Sequence, residues 1–210
     1  MSESERLSLA FYAALGAEGL AARTSPEWDA AIVARLIEML PPGARVLDVG
    51  CGYGRVSIPL AASGYRVDRI DLSPVFVEAA PTAAQAQCLE IDFRVGSMTK
   101  LPYASAAFDA VFCLWSAFHE LLERPEQVAA IAEMWRVTAP GGFVLVEGPR
   151  ADAAGRVTQE IVSGLPQEHY RHDKRSLRDL CEIAGIDGYR IYEADWAGRA
   201  RLFLRLERPS

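Results

Sequence analysis

Three glycines at alternate positions, Gly50, Gly52 and Gly54, follow an acidic residue, Asp48, at the end of the short apolar run Arg45-Val46-Leu47-Asp48-Val49. The run is β-prone and too short for a helix. Val56, Ile58, Leu60 and Ala61 resume behind the glycines with helical spacing, so the chain reads as strand, bend and helix. Glycine lets backbone and ligand approach closely, and the N-terminal N–H groups of the helix add free donors and the positive end of its dipole. A negative or hydroxyl-rich ligand is therefore expected above the bend. The spacing is not the G-x-G-x-x-G of dinucleotide sites, because Arg55 follows Gly54, which counts against NAD or FAD. About twenty residues further on, Asp71 ends the next strand, where a carboxylate can accept both ribose hydroxyls of a nucleoside. The plainer reading is that Asp71 only opens the turn into Ser73-Pro74.

Asp48-Val49-Gly50-Cys51-Gly52 resembles the first motif of class I S-adenosylmethionine (SAM)-dependent methyltransferases, and Val67-x-x-Ile70-Asp71-x-Ser73 resembles their second. Gly96-Ser97-Met98-Thr99-Lys100-Leu101-Pro102 stands where the family often has G-D-x-x-x-L-P. Ser97 replaces the Asp that receives the adenine amino group, and its hydroxyl can accept the same bond without the charge. Phe108-Asp109 and Ala139-Pro140-Gly141-Gly142-Phe143-Val144 are similar to two further habits of the family, and together the likeness spans Arg45 to Gly148. It implies SAM as cofactor, with Asp48, Gly50, Cys51, Gly52, Asp71, Leu72, Ser97, Met98 and Leu114 around it. Cys113 and Leu114 would offer carbonyls to the methionine ammonium. The implied activity is methyl transfer to an O, N or C nucleophile of a small molecule by in-line displacement. Trp115 to Leu121 would floor the acceptor site, with Trp115 and Phe118 against the substrate and His119, followed by Glu120, as the titratable group suited to a base. Otherwise His119 simply hydrogen-bonds there. No metal is required. Two other classes stay open, a SAM-binding regulator without catalysis and a nicotinamide-dependent oxidoreductase on the same sheet.

The elements that must position these residues are those of an α/β fold: a Rossmann-like, doubly wound sheet of seven strands, mostly parallel, with a C-terminal antiparallel hairpin and helices on both faces. Residues 1–210 read as a single domain, with a helical cover over 1–42, a SAM-binding core over 43–148, a candidate lid over 149–175 and a helix and hairpin over 176–210. In the cover a helix is expected to break near Gly16 and Gly19, and Ser25-Pro26 starts another. Tyr12 or Trp28 would touch ligand or else fill the core. Pro81 should kink the helix that begins at Pro74, with Thr82–Cys88 as a second piece. From Gly148 to Arg175 the chain is polar and punctuated by glycine; it reads as a mobile lid or a helical excursion. Ser176-x-x-Asp179 is a capping-box-like helix start, and Gly188–Ala194 with Ala200–Leu206 forms the hairpin.

Composition narrows the partners. Of 210 residues half are hydrophobic, enough for one sizeable core, and the net charge of −6 argues against nucleic acid. Four widely spaced cysteines without a C-x-x-C pair, and three histidines, suggest neither a disulfide framework nor zinc. With no apolar run of membrane-spanning length and no signal-like start, a cytoplasmic enzyme acting on a small molecule, with no membrane partner and an undefined oligomeric state, is expected.

Overall fold

The computed structural model describes residues 1–77, 91–150, 156–196 and 198–210. The expected kink at Pro81 and the helical piece Thr82–Cys88 lie outside the described residues. Two helices lead, α1 (Glu3–Ala21) and α2 (Pro26–Met39). They are followed by β1 (Arg45–Val49), α3 (Ser57–Ala62), β2 (Arg66–Asp71), β3 (Asp92–Val95) and β4 (Phe108–Cys113). After a 3₁₀ turn at Ala117–Glu120 come α4 (Arg124–Val137), β5 (Thr138–Pro149), β6 (Arg156–Val162) and β7 (Leu165–Arg171). The chain closes with α5 (Lys174–Ile183), β8 (Tyr189–Trp196) and β9 (Arg199–Glu207).

Among the described residues the main sheet has seven strands in the order β3-β2-β1-β4-β5-β9-β8. Strands β1 to β5 run parallel, and β9 and β8 add an antiparallel pair at one edge. The order reverses between β1 and β4, so a crevice opens above their C-terminal ends. This is the expected Rossmann-like fold.

Period-two alternation explains why the sheet is covered on both faces. Leu47, Val49, Val111, Cys113, Val144, Val146, Leu202, Leu204 and Leu206 meet Ile131 and Met134 of α4 and Leu177, Leu180 and Cys181 of α5 in one buried cluster. The intervening residues Val46, Ala110, Phe112, Phe143, Leu145 and Phe203 meet Ile32, Val33 and Leu36 of α2 and Leu60 of α3 in the other. Each such buried aliphatic or aromatic side chain contributes roughly 1.5–3 kcal/mol relative to exposure. The edge strand β3 is mostly exposed, as its polar alternation requires.

Local sequence accounts for most boundaries. Ser25 caps α2 by accepting from Trp28 N at 3.3 Å, with Pro26 in the first turn. Ser2 and Glu5 form a capping box at the start of α1. Helix α1 is continuous to Ala21 except at Gly16, whose φ of 69° and ψ of 174° turn the chain; Gly19 does not break it.

Two expectations are corrected. The segment read as a structureless lid or helical excursion contains the antiparallel pair β6 and β7, a separate two-stranded sheet paired from Arg156–Arg171 to Val162–Leu165. Its turn uses Ser163 and Gly164, both at positive φ. The exposed outer strand has polar residues on both sides, so its alternation does not stand out, whereas Gln167 of β7 and the adjoining His172 are buried. The second correction concerns α5, which starts at Lys174, before the anticipated Ser176. Asp173 is the cap, accepting from Ser176 N at 2.7 Å, and Ser176 Oγ accepts in return from Asp173 N at 2.9 Å. An Asp with a reciprocating hydroxyl three residues on satisfies both free donors. Asp173→Ala is expected to cost about 1 kcal/mol, read as a lower urea midpoint with unchanged slope.

Candidate functional site

Above the crossover lies a cavity of about 1030 Å³, open mouth included. Its floor is the bend after β1, where Gly50, Gly52 and Gly54 have φ of 71°, 54° and 92°. These values are reached easily only by glycine. A Cβ on Gly50 would stand 2.5 Å from Ala117 Cβ, and one on Gly52 would stand 3.3 Å from Leu20 Cδ2 in the cover. The bend is thus wedged between the loop after β4 and α1.

Asp71 closes one side. It is buried, and its two oxygens accept from Gly52 N at 2.7 Å and Ser73 N at 2.8 Å, tying the end of β2 to the bend. Burial raises its carboxyl above the ordinary value while these bonds oppose the rise. Asp48 is enclosed below the bend, where Oδ2 accepts from Ser57 Oγ at 2.5 Å, and burial pushes it up to about 6. Ser97 Oγ accepts from Thr99 N at 3.1 Å and contacts Thr99 Oγ1 at 2.7 Å at the edge of the site.

On the other side Leu114 and Trp115 line the cavity. Strand β4 ends at Cys113, two residues earlier than the apolar run suggests. Trp115 and Ser116 adopt φ of 56° and 70°, a left-handed pair without glycine. What holds them there is Glu147 on β5, whose Oε2 accepts from Trp115 N at 2.6 Å while Oε1 pairs with Arg201 of β9. Arg201 also donates to Ser116 Oγ at 3.1 Å. The Arg55 guanidinium lies 3.9 Å from the centre of the Trp115 ring, fixing its plane.

The structure gathers Asp48, Gly50, Cys51, Gly52, Asp71, Leu72, Ser97, Met98, Leu114 and Trp115 around one cavity. It does not bring Phe118 and His119 there. Phe118 is fully buried, stacked on His172 at 5.1 Å between ring centres. His119 is buried against His172 and Gly148, and burial holds its imidazole well below the ordinary value. The reason is the 3₁₀ geometry of Ala117–Glu120, in which positions three apart eclipse. Ala117 and Glu120 face the cavity together, and the two residues between them turn inward. The expectation of a base at His119 and a substrate contact at Phe118 is therefore corrected. Tyr12 lines the cavity, whereas Trp28 lies under Arg199. Sequence reasoning also passed over Glu5, Ser8 and Leu9 of α1 and Phe76, all on the wall. A Tyr-x-x-x-Lys spacing of the kind used by nicotinamide oxidoreductases exists at Tyr170–Lys174, but neither residue lines the cavity and Lys174 pairs with Glu193 at 3.0 Å.

A linkage follows for Asp48. Its folded pKa of about 6 lies above the ordinary 3.8, so the stability tied to its proton is complete below pH 4 and lost as pH rises through 6. Asn cannot ionise and keeps an acceptor for Ser57. Asp48→Asn is expected to gain stability over the parent by roughly 1–3 kcal/mol between pH 4 and pH 7, measured by urea unfolding across that range; a constant difference would contradict the raised value.

The comparisons with known proteins agree with this geometry. A family described as a methyltransferase domain matches residues 46–142. Ubiquinone biosynthesis O-methyltransferase of Xanthomonas campestris pv. campestris (strain B100) is 32% identical over 185 residues, covering 79% of this chain and 73% of that protein. Among solved structures, 1,6-didemethyltoxoflavin-N1-methyltransferase of Burkholderia thailandensis, with 1,6-didemethyltoxoflavin and S-adenosylhomocysteine bound, superposes with a TM-score of 0.78 at 19% identity, over 99% of this chain and 90% of that one. Magnesium protoporphyrin IX methyltransferase of Synechocystis PCC 6803, with SAM bound, gives 0.63 at 21% identity over 87% and 79%. The two structures speak for the fold, and the sequence relationship carries the assignment further. Identity of about one residue in three, maintained through nearly three quarters of a relative's length, makes this chain a member of the class I SAM-dependent methyltransferases, enzymes that use SAM to methylate small molecules.

Proposed function

We propose that the chain methylates a hydroxyl group on a small aromatic acceptor, with SAM over the glycine bend and the acceptor between Trp115 and Glu120. The observation that carries this reading is that one cavity is lined by Asp71, the glycine bend, Trp115, Glu120 and residues of α1. The relatives' name as O-methyltransferases supports the choice of oxygen.

The residues present fit the cofactor. Gly50, Cys51 and Gly52 present a bend without bulky side chains to the cavity, and buried Asp71 borders it beside them. Asp71 accepts from Gly52 N and Ser73 N and borders the cavity, and a carboxylate has acceptor capacity beyond these bonds for a ribose hydroxyl. In this reading Leu72, Ser97 and Met98 flank the adenine, while Leu114 O faces the ammonium and Cys51 and Gly52 surround the amino-acid tail. When bound, SAM supplies a methyl group made electrophilic by its sulfonium. The protein's contribution is to aim the acceptor oxygen along the C–S axis and to keep water out, and such orientation is worth roughly 7–11 kcal/mol. Exclusion falls to α1. Its Ser4 donates to Glu126 at 2.5 Å and accepts from Leu122 N at 3.0 Å, and past the Gly16 turn Leu20 meets the bend.

Mass spectrometry of reactions with SAM and a panel of catechols, phenols and aromatic amines tests the acceptor class. O-methylated products from the hydroxylated members are expected, and turnover of the amines alone would overturn the oxygen assignment. Asp71→Ala should weaken SAM binding by about 1–3 kcal/mol, measured calorimetrically on folded protein; unchanged affinity would remove Asp71 from the ribose site.

A further inference from the structure

We infer that Glu120 is the catalytic base, its Oε1 fixed by Tyr12 and Gln167 and its Oε2 left to take the proton of the acceptor. This rests on the preceding reading of a protic acceptor. Gln167 Nε2 donates to Oε1 at 2.7 Å and the Tyr12 hydroxyl donates to the same oxygen at 3.1 Å. His169 Nδ1 stands 3.7 Å from it. Among the described residues none donates to Oε2, and Glu120 lines the cavity on the same side as Ala117. Three chain segments far apart in sequence, α1, the 3₁₀ turn and β7, thus converge on one carboxylate and orient one oxygen while leaving the other.

The groups facing Glu120 also set its proton affinity. Burial raises it, the bonds from Tyr12 and Gln167 and the charge of Arg23 lower it, and Asp71 raises it, leaving it at about 7. His169 is held down to about 4 by burial and by Arg171, so it is neutral at pH 7 and does not cancel the carboxylate. Burial and Glu120 together keep Tyr12 protonated, a donor throughout the neutral range. A carboxylate of this affinity is matched to removing a proton near neutral pH. In the step, Glu120 Oε2 takes the proton from the acceptor hydroxyl as the oxygen forms its bond to the methyl carbon. The electron pair of the broken C–S bond stays on sulfur, giving the methyl ether, S-adenosylhomocysteine and a protonated Glu120 that returns its proton to water. Glu120 is ionised above its midpoint, so kcat/KM rises with pH through about 7.

Two measurements test this. In protein labelled with ¹³C at glutamate carboxyls, one signal should titrate near pH 7 and vanish in Glu120→Gln, and Gln167→Leu should move its midpoint upward by removing a bond to the charged form. A midpoint in the ordinary range near 4.5 overturns the proposal, whatever the enzyme turns over. Secondly, Glu120→Gln should bind S-adenosylhomocysteine within about threefold of the parent, lose about 10²–10⁴ in kcat with catechol, and lose under about tenfold with the more acidic 4-nitrocatechol. Undiminished kcat with catechol, or a loss confined to KM, overturns it. A parent enzyme that methylates neither catechol counts against the oxygen reading instead, and the carboxyl titration then decides on Glu120.

Discussion

The bend after β1 is closely packed on several sides at once. Gly50, Gly52 and Gly54 all take positive φ, and the space where each side chain would be is filled from a different direction: Ala117 beyond β4, Leu20 of the cover, and the Arg69 guanidinium of β2. Three pieces of chain brought together only by the fold therefore close on one short bend. Asp71 reinforces the same junction by accepting from Gly52 N. The bend must stay bare to be packed in this way, and its glycines also border the cavity.

A second set of constraints acts across the crevice. Trp115 and Ser116 adopt left-handed backbone without the help of glycine, which costs of order 1–3 kcal/mol each. The buried Glu147–Arg201 pair offsets that cost by bonding Trp115 N and Ser116 Oγ. The antiparallel edge strand β9 thereby reaches the site, although it lies on the far side of β5 from the crossover. The Trp115 ring, held also by Arg55, is a rigid wall, and the 3₁₀ turn that follows presents Ala117 and Glu120 to the cavity. The pair β6 and β7 is joined to the same place through Gln167 and His169.

Much of this was legible from local pattern. Strand β1, its glycine bend, Asp71 and the two-faced core follow from short-range spacing, because a buried parallel strand and a helix behind it leave a periodic trace in one dozen residues. The nine cofactor-side residues named from the motif do line one cavity, since each lies at or just beyond the C-terminal end of a parallel strand. The β6–β7 hairpin was not legible. Its strands are half polar, and its stability comes from α1 and the 3₁₀ turn, which are distant in sequence.

His119 and Glu120 mark the limit most clearly. As types, a histidine suits a base at neutral pH better than a glutamate, and the chain places them side by side. Burial reverses the order: the imidazole enclosed by His172 and Gly148 is held well below its ordinary range, and the carboxyl beneath Tyr12 is pushed up to about 7. Residue order and spacing were enough for the sheet, the bend and the family. Which way two adjacent side chains turned, and what dielectric each met, depended on elements over a hundred residues before one of them and nearly fifty after it, Tyr12 and Gln167, because desolvation is a property of the assembled interior and leaves no mark on local sequence.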